Sequence, residues 1–384
     1  MNGDSYLPDR PKRVLFVQKF STLGGGQKSL VQHLELLDRA CYESFLLTSN
    51  TGWLTDQTDR LNVPWSLVKF GHWTNPLSLL RQLMLIWRLC RYVHDHEIDL
   101  MHANEHWIAP PCLIAARLCG IPVICHFRTG LQDLTPRRIA RYQYRRFDRV
   151  IAVAEVLKSA MTPYLTQPDR VIVVRDGVEP FPGESRDHSH RRSKIAINVG
   201  AIYPVKGQAL ILDHALSWLK AGRRHFLIFV GGIRESPEYV AKMRELVRRE
   251  NLQKQVLFLG PRQDVPRLLR VADVLIAYST VEGVPRVVME AMFAGKPVIV
   301  SNTPGMSEVV TDGSVGRIID FERDPHTLSA ALKELDERPE RWTDMGRQGR
   351  IEALNRYSTQ AMTCAIQAIY NELLERHGHE RHPA

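Results

Sequence analysis

VLIAYSTVEGVPRVVMEAMFAGKPVIV, residues 274–300, is the stretch that decides the fold. Residues 274–278 form a short apolar run, bounded by the polar loop that begins at Ser279. Gly283 and Pro285 then constrain a turn. A helix starts near Arg286 and runs to Ala294, where Gly295 and Pro297 end it. A second apolar strand follows at 297–300. Strand, helix and strand in this order, with both strands apolar throughout, describe one crossover unit of a buried parallel sheet.

The alternation extends in both directions. Upstream, residues 194–199, 226–230 and 256–259 read as strands, and 208–221, 236–250 and 264–272 as helices. In the first half, 13–18, 44–48, 99–102, 122–126, 150–153 and 171–174 read as strands, with a glycine turn at 24–26 and a helix opening over 29–37. Between the halves, PFPGESRDHSHRRSK (180–194) is rich in Pro, Gly, Ser and charge and reads as an exposed linker. Residues 357–377 carry one more long helical pattern. The fold class expected is α/β, with two Rossmann-like doubly wound domains over 1–183 and 184–355 and a helix with a polar tail over 356–384. Two such domains imply a ligand cleft at the C-terminal ends of the strands.

The 384 residues are enough for two domains with separate cores. Hydrophobic residues make up 44% and charged residues 24%, a balance that excludes a largely disordered chain. Fifty-one basic against 42 acidic residues give a net charge of +9. That favours a phosphorylated substrate, an anionic membrane surface or nucleic acid, but no recognisable nucleic-acid module is present. The six cysteines include no C-x-x-C pair, so zinc is not indicated, and they read as small buried hydrophobes of a reducing compartment. The N-terminal MNGDSYLPDRPKR is polar, and the VLFV that follows is too short for a secretory signal. Apolar stretches such as LMLIW at 83–87 fall far short of the roughly 20 residues of a spanning helix. The expectation is a cytoplasmic protein, or one lying peripherally on the cytoplasmic face of a membrane.

Three segments can carry chemistry. LGGGQKS (23–29) follows the first strand, and its glycines let backbone approach a ligand at a helix start that favours anions. GAIYPVKG (200–207) occupies the same position after the first strand of the second half, with Lys206 offered to a phosphate. In EGVPRVVME (282–290) the first helical N–H groups suit a phosphate, and Glu290, among apolar neighbours, can accept both hydroxyls of a ribose diol. His102 ends a strand and suits a site role, with Asn104, Glu105 and His106 on the loop beyond it.

Spacing and order in these segments resemble the E-x7-E motif of glycosyltransferase family four, retaining enzymes of the GT-B fold. The likeness includes GKPV at 295–298, GMSE at 305–308, DLMHAN at 99–104, RVIAVAE at 149–155, RDGVE at 175–179 and VGAIYPVKG at 199–207, and it spans nearly the whole chain. It implies a GT-B fold whose C-terminal helix returns to the first domain. It also implies a nucleotide-sugar-dependent transferase acting on a glycan or lipid-linked acceptor in cell-envelope or polysaccharide synthesis. The donor is expected to be UDP- or GDP-linked, with no metal or other cofactor. By residue, the resemblance makes Glu282, Lys206 and His102 the catalytic set: Glu282 contacts the transferred sugar and Lys206 neutralises the leaving diphosphate. Donor binding would involve Glu290, Gly25, Gly26, Gly200, Arg262, Gly283, Val284, Pro285 and Arg286. Asn104, Glu105, His126 and Arg128 would face the acceptor.

The chain departs from the family pattern at several positions. Ala201 stands where an arginine is usual, and Arg286, Arg262 or Lys296 are the cations available to replace it. Arg128 stands near a usual histidine and could favour an anionic group on donor or acceptor; Asp176 replaces a usual asparagine. Two other readings are an epimerase or phosphorylase of the same fold, and a non-catalytic paralogue acting as a binding subunit, which Ala201 favours. An anionic membrane could be met by Arg137, Arg138, Arg141, Arg145 and Arg146, interleaved with apolar residues. A second basic amphipathic segment, 76–93, reads as either a membrane contact or a packing helix.

Overall fold

The computed structural model describes residues 10–70, 79–128, 146–164, 167–179, 193–222, 224–233, 237–280, 285–321, 323–324 and 326–381. The chain divides into two units, Met1–Gly177 with Thr359–Ala384, and Val178–Ser358. The boundary expected near residue 183 lies outside the described residues.

The first unit runs β1 (Lys12–Val17), α1 (Gly25–Leu36), β2 (Tyr42–Thr48), α2 (Trp53–Arg60), β3 (Trp65–Leu67), α3 (Leu79–Asp95), β4 (Leu100–Ala103), α4 (Ala109–Cys119), β5 (Val123–Phe127), β6 (Arg149–Ala152), α5 (Glu155–Met161) and β7 (Val171–Val173). Its sheet has the order β3-β2-β1-β4-β5-β6-β7, and every pairing is parallel. The apolar runs explain this. Residues 14–17 of β1 and all of β5 are buried, so both faces of the central strands need a helical cover.

The second unit runs β8 (Lys194–Val199), α6 (Gln208–Ala221), β9 (His225–Val230), α7 (Pro237–Arg249), β10 (Val256–Phe258), α8 (Val265–Val271), β11 (Val274–Ala277), α9 (Arg286–Phe293), β12 (Val298–Ser301), α10 (Pro304–Ser307), β13 (Gly316–Ile319), α11 (His326–Glu337) and α12 (Pro339–Arg356). Its sheet, β10-β9-β8-β11-β12-β13, is also parallel throughout. The opening stretch is β11, loop, α9 and β12.

The final helix, α13 (Thr359–Arg381), belongs to the first unit. Met362, Ile366, Ile369, Tyr370 and Leu373 are buried with Phe16, Leu30, Leu34 and Leu46 in one core cluster. One helix was expected over 357–377, but the chain breaks at 357–358. Tyr357 is buried in the second unit, and its carbonyl accepts the Val178 N–H at 2.8 Å, so it is not available to a helical partner.

The glycine run is a second correction. It does not precede the first helix as a turn: α1 begins at Gly25, four residues earlier than expected, so Gly25 and Gly26 form its first turn.

Ile366→Ala should destabilise the first unit by about 2–5 kcal/mol, because it empties a buried site, while Glu375→Ala on the exposed side should stay within about 0.5 kcal/mol. Urea unfolding compares them, and equal effects would show that α13 is not part of this core.

Candidate active site

In doubly wound sheets ligands bind where neighbouring strands send their helices to opposite sides, at the carboxyl ends. In the second unit that point lies between β8 and β11. The β8–β11 ladder ends at Ile197 and Leu275, and the Asn198 side chain then donates to the Ile276 carbonyl at 2.9 Å. The strands separate beyond this bridge. Gly200 and Ala201 leave on one side, and Tyr278 to Thr280 on the other.

Lys206 ends a single 3-10 turn, Pro204–Lys206, that is tied to both strands. The Val205 carbonyl accepts the Thr280 N–H at 3.1 Å, joining this turn to the loop after β11. Gly207 has φ +55°, and a Cβ there would lie 2.1 Å from Tyr278 Cδ1, so this position requires glycine on both counts. Ser301, at the end of β12, hydrogen-bonds the backbone of Ser279 through its Oγ at 3.2 Å, holding the same loop from the other side. Helix α9 then opens at Arg286, and Pro285 supplies no side-chain cap to its first N–H groups. Glu290 lies one turn in and is 9% exposed.

A row of strand ends completes this edge. The Gly200 N–H donates to the Val230 carbonyl, and the Gly231 N–H to the Gly260 carbonyl, both at 2.9 Å. A Cβ on Gly231 would lie 1.9 Å from the Gly200 oxygen, so only glycine fits between the two strand ends. Gly231, Asn198 and Ser301 escaped the sequence reading, although VGG at 230–232 repeats the strand-then-glycine pattern of 199–200. Arg262, next along the edge, is exposed and forms a two-pronged ion pair with Asp264, both contacts at 2.8 Å. Lys296 is not a substitute for an arginine at 201. It precedes β12, at the amino end of a parallel sheet, and is buried there. Arg286 and Arg262 are at the carboxyl edge. Glu282, Gly283 and Val284 lie outside the described residues, as do Arg137, Arg138, Arg141 and Arg145.

In the first unit the equivalent point lies between β1 and β4, where the Asn104 N–H donates to the Val17 carbonyl at 3.0 Å. Two departures from the family pattern meet there. Arg128 and Asp176 form an ion pair with only 10% and 8% of their side chains exposed. The guanidinium also donates to Asn104 Oδ1 and to His126 Nδ1, each at 3.0 Å. The Ser29 hydroxyl of α1 donates to Asp176 at 2.7 Å. Arg128 is thus held inward, and the expectation that it favours a ligand anion is corrected: its charge already faces a carboxylate. Its Cδ lies 3.1 Å from where a Gly26 Cβ would be, so the glycine at 26 leaves room for this side chain. Gly25 and Gly26 keep their place at the open start of α1, where Gly24 provides no side-chain cap.

A polar chain continues outward from Asn104. Its Nδ2 donates to Gln18 Oε1 at 2.6 Å, and Gln18 donates in turn to Glu105. Burial pushes the Glu105 carboxyl above its ordinary range, opposed by the Gln18 hydrogen bond and by the charges of Arg128 and Lys19. Glu105 is partly exposed, and Trp107, two residues further along the chain, lines a depression with Lys19, Gln82 and Leu85.

His102 does not face outward as expected. It is 1% exposed, its Nδ1 is hydrogen-bonded to the Tyr370 hydroxyl at 2.7 Å, and its ring stacks on His126 with centroids 5.5 Å apart. Tyr370 of α13 thus closes the Nδ1 edge of the His102 ring. Burial drives the pKa of His102 and of His126 well down, assisted for both by the Arg128 charge, and burial brings His33 down to about 3. His126 is likewise fully buried.

Family models match both units. "Glycosyl transferase 4-like domain" covers residues 24–177 and "Glycosyl transferases group 1" covers 184–352. The chain belongs to the group 1, family-four glycosyltransferases of GT-B fold. Among curated proteins it is 25% identical to the Escherichia coli UDP-Gal:alpha-D-GlcNAc-diphosphoundecaprenol alpha-1,3-galactosyltransferase, over 85% of this chain and 88% of that one. It is 29% identical to the D-inositol 3-phosphate glycosyltransferase of Corynebacterium glutamicum, over 85% and 77%. In fold it is similar to HepE of Anabaena in complex with UDP, with TM-score 0.81, 21% identity, and 94% and 100% of the two chains covered.

Two outcomes test the first-unit site. Arg128→Ala or Asp176→Ala alone should cost about 3–5 kcal/mol by stranding a buried charge, and the double variant should cost less than the two losses combined; strict additivity in urea melts would show no coupling. The second concerns pH. His33, His102 and His126 stay neutral when folded but take protons when unfolded below about pH 6.5. Stability should therefore be complete above that pH and fall as pH drops toward 4, by up to about 1.4 kcal/mol per unit for each histidine. Urea midpoints across this range check the slope, and His33→Gln should flatten it.

Proposed function

We propose that the chain transfers a sugar, with retention of configuration, from a UDP- or GDP-linked donor to a glycan or lipid-linked acceptor, and that it uses no metal. What supports this is the carboxyl edge of the second unit, where the Lys206 turn follows β8 and α9, with Glu290 one turn in, follows β11, on the two sides of the switch point. Lys206 and the α9 N–H groups suit a diphosphate, and Arg286, at the first position of α9, adds a cation near it. Glu290 suits the ribose diol. The Gly200, Gly231 and Gly260 strand ends leave backbone open beside them for the base. Glu282 is assigned to the moving sugar from its place in the motif alone.

In the step proposed, the bond from the anomeric carbon to the diphosphate oxygen breaks, and a bond to the acceptor oxygen forms on the same face. The acceptor proton passes to the departing phosphate oxygen, so no protein base is required. Lys206 and the α9 dipole favour the charge that develops on the leaving group. The lipid-linked class of acceptor is supported by the name of the E. coli relative and by the exposed apolar side chains of the first unit. Such an acceptor implies work at the cytoplasmic face of a membrane. A second reading, a donor-binding subunit without activity, is favoured by Ala201, whose methyl cannot replace an arginine at the diphosphate.

Calorimetric titration with UDP and with GDP tests the donor site. Glu290→Ala should weaken nucleotide affinity about tenfold or more. Lys206→Ala should lower the transfer rate about a hundredfold while changing donor affinity less. Unchanged affinity in Glu290→Ala would remove the ribose assignment, and a wild type that neither transfers nor hydrolyses any donor would support the binding subunit.

A further inference from the structure

We infer that the first unit docks on an anionic lipid surface through the solvent face of α3 and the adjoining face of α4. This rests on the lipid-linked acceptor reading only for its place in the reaction; the surface itself is argued from the helices.

A surface helix of a globular unit needs one apolar stripe, turned inward, and a polar outer face. Helix α3 has its inward stripe: Leu85, Ile86, Leu89 and Val93 are each 8% exposed or less. It also has an outward one. Leu80, Leu83, Met84 and Trp87, spaced i, i+3, i+4 and i+7, are 77%, 53%, 54% and 59% exposed. Single exposed leucines need no explanation, but four large apolar side chains in one stripe do.

The stripe runs into the seam with α4. Cys90 Sγ lies 3.8 Å from the Ala115 carbonyl, and Cys119 Sγ lies 3.9 Å from the Cys90 carbonyl. Ile114 and Leu118, each one residue before these contacts, are 38% and 70% exposed and extend the apolar surface.

Charge decides the occupant. Arg81, Arg88 and Arg91 are exposed along α3, whereas Arg117 of α4, also exposed, is paired with Asp148 at 2.9 Å. Neither helix carries a carboxylate except Asp95 at the end of α3, which pairs with Arg91 at 3.2 Å. The Arg91 guanidinium lies over the Trp87 ring, 5.6 Å from its centre. Apolar side chains with a tryptophan, rimmed by arginines whose stems can reach past them, match the boundary between acyl chains and anionic headgroups. A second copy of the chain fits poorly, because a symmetric contact would bring like-charged rims together.

Flotation with phosphatidylcholine vesicles, with and without phosphatidylglycerol, tests this on the full chain. The wild type should bind the phosphatidylglycerol vesicles. Leu83→Ser with Trp87→Ser should lower the partition coefficient about tenfold or more while the chain stays folded, since more than half of each residue is already in water. Met84→Ser gives a second variant should the double one not fold. Arg88→Gln with Arg91→Gln should weaken binding and reduce its salt dependence. UDP affinity should be the same in all these variants, so failure here is distinct from failure of the donor site. The proposal is overturned if the wild type binds no vesicles, if the serine variant binds as well as wild type, or if sedimentation shows a dimer that the serine variant abolishes.

Discussion

A parallel strand cannot return to its neighbour through a tight turn; the chain must cross the sheet, and it does so through a helix. All the pairings in both sheets are of this kind. That constraint buries the strands on both faces. It also collects the loops that leave the strands at one edge, and it opens a crevice wherever the winding reverses. The glycine-rich start of α1, the Lys206 turn and the start of α9 are at carboxyl edges for this reason.

The strands were legible because this constraint writes itself into composition. An apolar run such as 274–277 alternates with nothing, since neither face meets water, and the bounds read from sequence fall within about two residues of those observed. The shorter and more polar elements were not legible. β3 has three residues, none buried, and α2 is dominated by polar side chains, so neither carries a period. The start of α1 was misplaced because three glycines predict a turn by propensity. Here the glycines instead begin a helix whose first turn lies against the Arg128 side chain.

The two corners differ in how much of each a sequence can reveal. In the second unit the important contacts are local or backbone-borne: Lys206 beside Gly207, and Glu290 one turn into its helix. Spacing along the chain therefore carries them. In the first unit the decisive contact joins residues 48 positions apart, Arg128 and Asp176, and neither looks unusual without the other. Read singly, each is a departure from the family pattern. Together they neutralise one another and fasten β5, the loop after β7 and, through Ser29, the second turn of α1.

This pairing changes what the first unit offers at its carboxyl edge. A free arginine at 128 would select an anion; one facing Asp176, with Glu105 nearby on the same polar chain, does not. The group left at the open end of that chain is the Glu105 carboxyl, partly exposed and fixed by Gln18. A carboxylate held in this way can accept hydrogen bonds, where a free guanidinium could only donate them.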